Sequence, residues 1–208
     1  MTSDPLVWQP SLPLGGDGVA VDGDFSSLDR TWLDENSWVD LAPGWVSGAD
    51  QLFDELVANI PWGQRSRRMY DRYVLEPRLT ASWKAGADGD LRPPVLDTAR
   101  KALSRHYGMV FDAVGLNLYR DGRDSVAWHR DRIPKAIPDP IVALLSLGEP
   151  RRFRLRPHGG GRSWSCLLGG GDLLVTGRRT QRDWEHSVPK VAAAGPRISV
   201  AFRYGVNY

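Results

Sequence analysis

From Val110 onward the chain breaks into short β-rich runs separated by Gly and Pro clusters, with no helical periodicity between them. The runs are Ala113 to Tyr119, Ile141 to Leu147, Arg152 to Arg156, Trp164 to Leu168, Asp172 to Thr176 and Ile198 to Arg203. Several short strands with turn signals and no intervening helix predict a sandwich or a barrel. Hydrophobic residues make up 41% of the 208 residues, enough for a real core in one domain of ordinary size.

Helical spacing is confined to the region before these runs. Leu52, Phe53, Leu56, Val57 and Ile60 recur at helical intervals, which predicts a helix from about Ala49 to Ile60, capped by Ser47 or Asp50 and stopped by Pro61. A second helix is predicted from Pro94 to Tyr107, with Pro near its first turn and Gly108 past its end. Residues 1–45 are rich in Gly, Asp, Ser and Pro and read as a loop-rich arm with short strands; residues 46–208 form the domain proper. The expected class is therefore mostly β with flanking helices.

A net charge of +2 and a pI of 8.8 exclude little, but only Lys84, Lys101, Lys135 and Lys190 among 27 basic residues are lysines. The arginine excess permits bidentate binding of carboxylate or phosphate, and a GC-rich genome produces the same skew. Cys166, the single cysteine, rules out an intramolecular disulfide and fits a reducing compartment; it reads as a packed small hydrophobe. No apolar run approaches the length of a membrane span, and a cytoplasmic, monomeric protein is the expectation. His106 and His158 read as surface residues.

Chemistry concentrates at His129-Arg-Asp131. Two side chains two residues apart on an extended segment project to one side. One imidazole and one carboxylate are two thirds of the 2-His-1-carboxylate set that holds non-haem Fe(II) and leaves positions open. Alone, the pair also fits a solvated loop. His186, in Trp184-Glu-His-Ser-Val-Pro189, is the candidate third ligand, far enough along the chain to lie on another strand. In Arg197-Ile-Ser-Val-Ala-Phe-Arg203 the apolar Ile198, Val200 and Phe202 alternate with Arg197, Ser199, Ala201 and Arg203. Two inward guanidiniums need anionic partners, and a dicarboxylate ligand supplies them; the alternative is an outer, solvated sheet face.

In order and spacing these pieces resemble the AlkB family of Fe(II)- and 2-oxoglutarate-dependent dioxygenases, which repair alkylated nucleic-acid bases. The resemblance runs from Pro61-Trp62 through Glu76-Pro-Arg-Leu-Thr-Ala-Ser-Trp83, Asn117-Leu-Tyr119, Asp121-Gly122, His129-Arg-Asp131, Gly171-Asp-Leu-Leu-Val175 and His186-Ser-Val-Pro189 to Arg197 and Arg203. It implies a double-stranded β-helix, or jelly roll, with the N-terminal helices packed outside. It implies Fe(II) on His129, Asp131 and His186, with O2 as the other co-substrate. It also implies 2-oxoglutarate on Asn117, Tyr119, Arg197, Ser199 and Arg203, Arg197 taking the distal carboxylate.

The implied reaction hydroxylates an alkyl carbon on a base nitrogen, releases an aldehyde and restores the base in DNA or RNA. The substrate side is expected in a nucleotide-recognition lid at about 61–85, with Arg65, Arg67, Arg68, Tyr70, Tyr73, Arg78 and Trp83, and beside the metal at Arg130 and Arg132. Arg151, Arg152, Arg154 and Arg156 can extend a positive track, and a solvated strand face fits the last three equally. Two positions depart from the family pattern. Ile133 stands where many members carry an acid that meets the base, which favours bulkier or more apolar adducts. Ser199 stands where Asn is common. Two other readings stay open from sequence: the same iron chemistry on a protein or small-molecule substrate, and a non-catalytic jelly-roll binding module.

Overall fold

A computed structural model describes residues 18–69, 72–131 and 133–205, the side chains of 67–69 and 72 excepted. The chain opens with β1 (Ala20–Val21), β2 (Asp29–Asp34), β3 (Ser37–Ala42), β4 (Val46–Ser47) and helix α1 (Ala49–Asn59). A hairpin of β5 (Ser66–Met69) and β6 (Arg72–Leu75) follows, then β7 (Leu79–Lys84) and helix α2 (Pro94–Tyr107). The β-rich half comprises β8 (Ala113–Tyr119), β9 (Val126–His129), β10 (Val142–Gly148), β11 (Arg151–Pro157), β12 (Trp164–Leu168) and β13 (Leu173–Arg178). The single turn α3 (Thr180–Asp183) leads into β14 (Trp184–Val188) and β15 (Arg197–Arg203).

Two antiparallel sheets face one another. The major sheet has the order β2-β3-β13-β10-β15-β8-β7 and the minor sheet β12-β11-β14-β9. Successive strands thus alternate between the sheets, β8 to β9, β10 to β11 and β14 to β15, which is the jelly roll that the family resemblance implies. Each face of the major sheet is buried against something different. Val114, Leu116, Leu145, Val175, Ile198, Val200 and Phe202 pack with Leu52, Phe53 and Leu56 of α1 and Leu96, Ala99 and Leu103 of α2 in one core. Between the sheets, Val39, Tyr119, Phe153, Leu155, Leu174 and Trp184 form a smaller one. Burying side chains of this size stabilises by roughly 1.5–3 kcal/mol each, so the helices are structural walls. Among the described residues no helix is long and apolar enough to cross a membrane.

α2 has the predicted bounds, closed by Gly108 at φ 64°. α1 is capped otherwise than expected. Its N-cap is Gly48 at φ 66°, with no side-chain cap. A Cβ at Gly48 would stand 2.9 Å from the Gly18 carbonyl oxygen, so close packing of two chain segments dictates glycine there. Ser47 instead donates to the Ala20 carbonyl across β1 and β4.

The described part of the N-terminal arm is built into the core. β3 pairs with β13 from Arg178↔Ser37 to Leu173↔Ala42, and Trp38, Val39 and Trp45 are buried. Asp40 hides this strand from a sequence reading by placing a charge mid-run; it is ion-paired with Arg30 at 2.6 Å and accepts from the Tyr107 hydroxyl at 2.9 Å. Gly177 marks the tightest approach, since a Cβ there would fall 1.9 Å from the Trp38 ring. Gly177→Ala is therefore expected to lower stability by roughly 1–3 kcal/mol through overpacking, read as a fall in the thermal midpoint. An unchanged midpoint would contradict the packing of β3 on β13.

Candidate active site

The strands deliver functional groups by parity. On β15, Ile198, Val200 and Phe202 enter the helix-side core while Arg197, Ser199, Ala201 and Arg203 line a cavity of about 260 Å3 between the sheets. On β8, Asn117 and Tyr119 line the same cavity, and the register sets Arg197 beside Tyr119 and Ser199 beside Asn117. Gly115 and Ala201 pair across these strands, and their small side chains leave the middle of the cavity open.

At one end His129 on β9 and His186 on β14 are direct cross-strand partners. Their rings lie 4.1 Å apart, and each Nε2 is 3.8 Å from Oδ1 of Asp131. The ligand atoms of the three residues all lie within 4.8 Å of one another, a group able to hold a metal ion. Each member is prepared for that task. Nδ1 of His129 donates to the Ala127 carbonyl at 2.9 Å, which leaves the lone pair on Nε2 facing the centre. Burial pushes the His186 imidazole down to about 4, so it is neutral at physiological pH, and Phe153 stacks on it at 5.6 Å. Burial opposes ionisation of Asp131, but the Arg203 charge and the facing imidazoles outweigh it and hold the carboxyl well below the usual range. Arg203 grips Oδ2 with Nε and Nη2, both at 2.8 Å, and leaves Oδ1 as the inward donor. Two imidazole nitrogens and one carboxylate oxygen on one side of a cavity suit divalent iron.

Arg203→Leu is expected to weaken Fe(II) or Co(II) binding about 10–100-fold, as loss of a ligand-orienting partner does. The sign with pH follows: without the guanidinium the Asp131 carboxyl titrates higher, so metal is lost at a higher pH on acidification. A Co(II) titration across the acid range reads both effects, and an unmoved acid limb would sink this role.

At the other end lies Arg197, 1% exposed. Its Nε donates to the Ser146 hydroxyl at 3.0 Å. Nη1 and Nη2 are buried without a hydrogen-bond partner, the Tyr119 phenol being near enough to act on the guanidinium electrostatically. Burial lowers its pKa from the ordinary arginine value, yet so strong a base stays charged. A buried cation with two idle donors costs several kcal/mol unless an anion meets it. A carboxylate presenting two oxygens is the complementary shape.

Asn117 bridges the two sides of the cavity: its Nδ2 reaches the Ser199 hydroxyl at 3.4 Å, and its Oδ1 accepts from Nε of Arg78 at 2.9 Å. Arg78 also pairs with Glu76 at 2.7 Å, and Arg65 completes the rim. The sequence-predicted residues do not all gather here. Trp83 shares its side of β7 with Leu79 and Ala81, packs toward the helices and donates to the Gly89 carbonyl, so it is not a cavity residue. Tyr73, on the hairpin, is 74% exposed, and Arg130 points outward with Nη1 on the Arg182 carbonyl; neither lines the cavity. Tyr70 and Arg132, and the side chains of Arg67 and Arg68, lie outside the described residues. Ile133 turns to a small apolar pocket with Met109, Ile137 and Tyr204 rather than to the metal group. Sequence reading misses Ser146, Phe153 and Leu144, and gives no role to Thr80 and Glu76 within their motif, all of which line or brace the site.

Residues 42–203 match the 2OG-Fe(II) oxygenase superfamily. The chain is 34% identical over 193 residues to the human alpha-ketoglutarate-dependent dioxygenase alkB homolog 3, covering 80% of this chain and 66% of that protein. It is likewise 34% identical to the Arabidopsis thaliana DNA oxidative demethylase ALKBH2, covering 73% of this chain and 60% of the relative. The chain thus spans somewhat under two thirds of these relatives' own length. The solved structure of OsALKBH1 superposes with a TM-score of 0.61 at 15% identity, covering 84% of this chain and 99% of that one, a likeness of fold.

Proposed function

The chain belongs to the 2OG-Fe(II) oxygenase superfamily, and we propose that it oxidatively dealkylates damaged bases in DNA or RNA. The observation that carries this reading is the pairing, in one cavity, of the His129, Asp131 and His186 group with the idle terminal nitrogens of Arg197. Bound Fe(II) and 2-oxoglutarate supply the oxidation: with O2, the 2-oxo acid is converted to succinate and CO2 while the alkyl carbon on the base nitrogen gains a hydroxyl, leaves as an aldehyde and frees the base. The protein supplies position. Arg197 takes the distal carboxylate of the co-substrate, with Tyr119 and the Asn117–Ser199 pair along its length. His129, Asp131 and His186 hold the metal through two imidazole nitrogens and one carboxylate oxygen. Arg203 keeps that carboxylate ionised and occupies its Oδ2, so that Oδ1 would be the oxygen offered to the metal. Phe153, Leu144 and Val188 give the cavity its apolar wall.

The similarity to the DNA oxidative demethylase ALKBH2 supports a nucleic-acid substrate, and the mouth fits one. Arg65 and Arg78 line the cavity where the chain enters and leaves the hairpin of β5 and β6, so they can meet phosphates while the damaged base enters. The test is succinate formation from 2-oxoglutarate together with mass spectrometry of oligonucleotides carrying a panel of alkyl lesions. Lesion-dependent succinate with loss of the alkyl mass is expected. Succinate without lesion removal would move the substrate to a protein or small molecule, and no succinate with any oligonucleotide would end the reading.

A further inference from the structure

The outer face of the minor sheet carries a charge pattern for which the dealkylation site has no use. β11 sends Phe153 and Leu155 inward, so Arg152, Arg154 and Arg156 stand on the outer side, successive ones about 6.7 Å apart by strand geometry. β12 continues that face with the exposed Ser165 and Leu167, the cross-strand partners of Arg154 and Arg152. On β9 the Trp128 ring lies under two of these guanidiniums, Arg156 at 4.3 Å and Arg154 at 5.4 Å from its centroid. Trp128 directly precedes His129, so the face begins at the lip of the metal group.

Its charges do not balance. Arg156 pairs with Glu185 at 2.8 Å, and the same carboxylate also meets His158. Arg152 reaches only the Ser165 hydroxyl, at 3.3 Å, and among the described residues neither Arg152 nor Arg154 has a carboxylate partner. Arg152 and Arg154, like charges on one strand face without an acid between them, repel one another until an anion arrives, and the indole under Arg154 adds no negative charge. The anion it suits is linear and repeating.

We propose that this face is a second nucleic-acid contact, along which single-stranded DNA or RNA runs outward from the nucleotide held at the metal, its phosphates on Arg152 and Arg154. The inference rests on the nucleic-acid reading of the site. It adds that affinity depends on strand length beyond the target nucleotide, because the face lies outside the cavity. The two unpaired guanidiniums are the contacts; Arg156, already neutralised by Glu185, holds the indole in place.

Fluorescence anisotropy of an undamaged single-stranded oligonucleotide tests it without relying on turnover. The double variant Arg152→Gln/Arg154→Gln is compared with Lys101→Gln/Arg105→Gln, the same charge change on α2 across the molecule. The first is expected to lose about tenfold in affinity at low salt and to flatten the slope of log K against log salt by about 1.4, two phosphate contacts on a single strand. The second should keep both quantities near the wild-type values. Equal losses in the two variants would reduce the effect to net charge and overturn the proposal. So would an unchanged salt slope in the first, or loss only of binding to phosphatidylserine-containing vesicles. Because undamaged strand is the probe, failure of lesion removal in the turnover assay leaves this result readable by itself.

Discussion

Asp131→Asn is expected to cut Fe(II) affinity and lesion-dependent succinate formation by more than about 100-fold, beyond the 10–100-fold that loss of a mere orienting partner costs. The amide keeps the shape of the side chain but loses the anionic Oδ1 to which both Nε2 atoms converge at 3.8 Å. It also loses the charge that Arg203 neutralises at 2.8 Å. Anaerobic calorimetry with Fe(II) reads the affinity, and a native far-UV circular dichroism spectrum separates a lost site from a lost fold. Retained stoichiometric Fe(II) binding in the folded variant would mean that the metal sits elsewhere.

Arg197→Met should act in opposite directions on stability and on binding. In the absence of ligand the wild-type protein carries a guanidinium, 1% exposed, with two unpartnered nitrogens. Replacing a buried ion by an apolar side chain of similar length is expected to raise stability by roughly 1–4 kcal/mol. The Ser146 hydroxyl that loses its arginine partner still reaches the Leu168 carbonyl at 3.5 Å, so the change strands no new polar group. Binding moves the other way, because removing one partner of a buried charge pair costs about 2–5 kcal/mol of affinity. The wild-type protein with metal and 2-oxoglutarate at about 100 times its Kd gains roughly 2.7 kcal/mol, a rise in thermal midpoint of about 5–11 °C for a chain of this size. The variant should start higher and show no such rise. A variant that starts lower, or still responds to the co-substrate, would contradict the role given to Arg197.

What the sequence makes legible follows from how local each signal is. α2 is readable because Pro at its start, Gly108 at its end and helical spacing between them agree. β8, β12 and β15 are readable because alternation and turn residues need no partner to be recognised. β3 is hidden by Asp40, whose charge makes sense only once Arg30 and Tyr107 arrive from other segments. The same division runs through the site. His129 and Asp131 lie two residues apart, and Arg197 and Arg203 share one strand face, so both pairs can be proposed from spacing. Ser146 and Phe153 become visible only through register: Ser146 is the direct neighbour of Ser199 on β15, and Phe153 is brought over His186 by the pairing of β11 with β14. Trp83 misleads for the converse reason. Its motif is right, but parity on β7 turns it to the helices.

The proposed reaction requires three side chains from two separated segments to share one cation, with a keto-diacid reaching from it to a buried guanidinium. A crystal structure of the protein with Mn(II), as an oxygen-stable stand-in for Fe(II), and 2-oxoglutarate tests this most directly. The account predicts one metal ion bonded to Nε2 of His129, Oδ1 of Asp131 and Nε2 of His186, with the distal carboxylate of the co-substrate on Nη1 and Nη2 of Arg197. A metal bound by other residues, or a co-substrate whose distal carboxylate leaves those two nitrogens unmet, would contradict it.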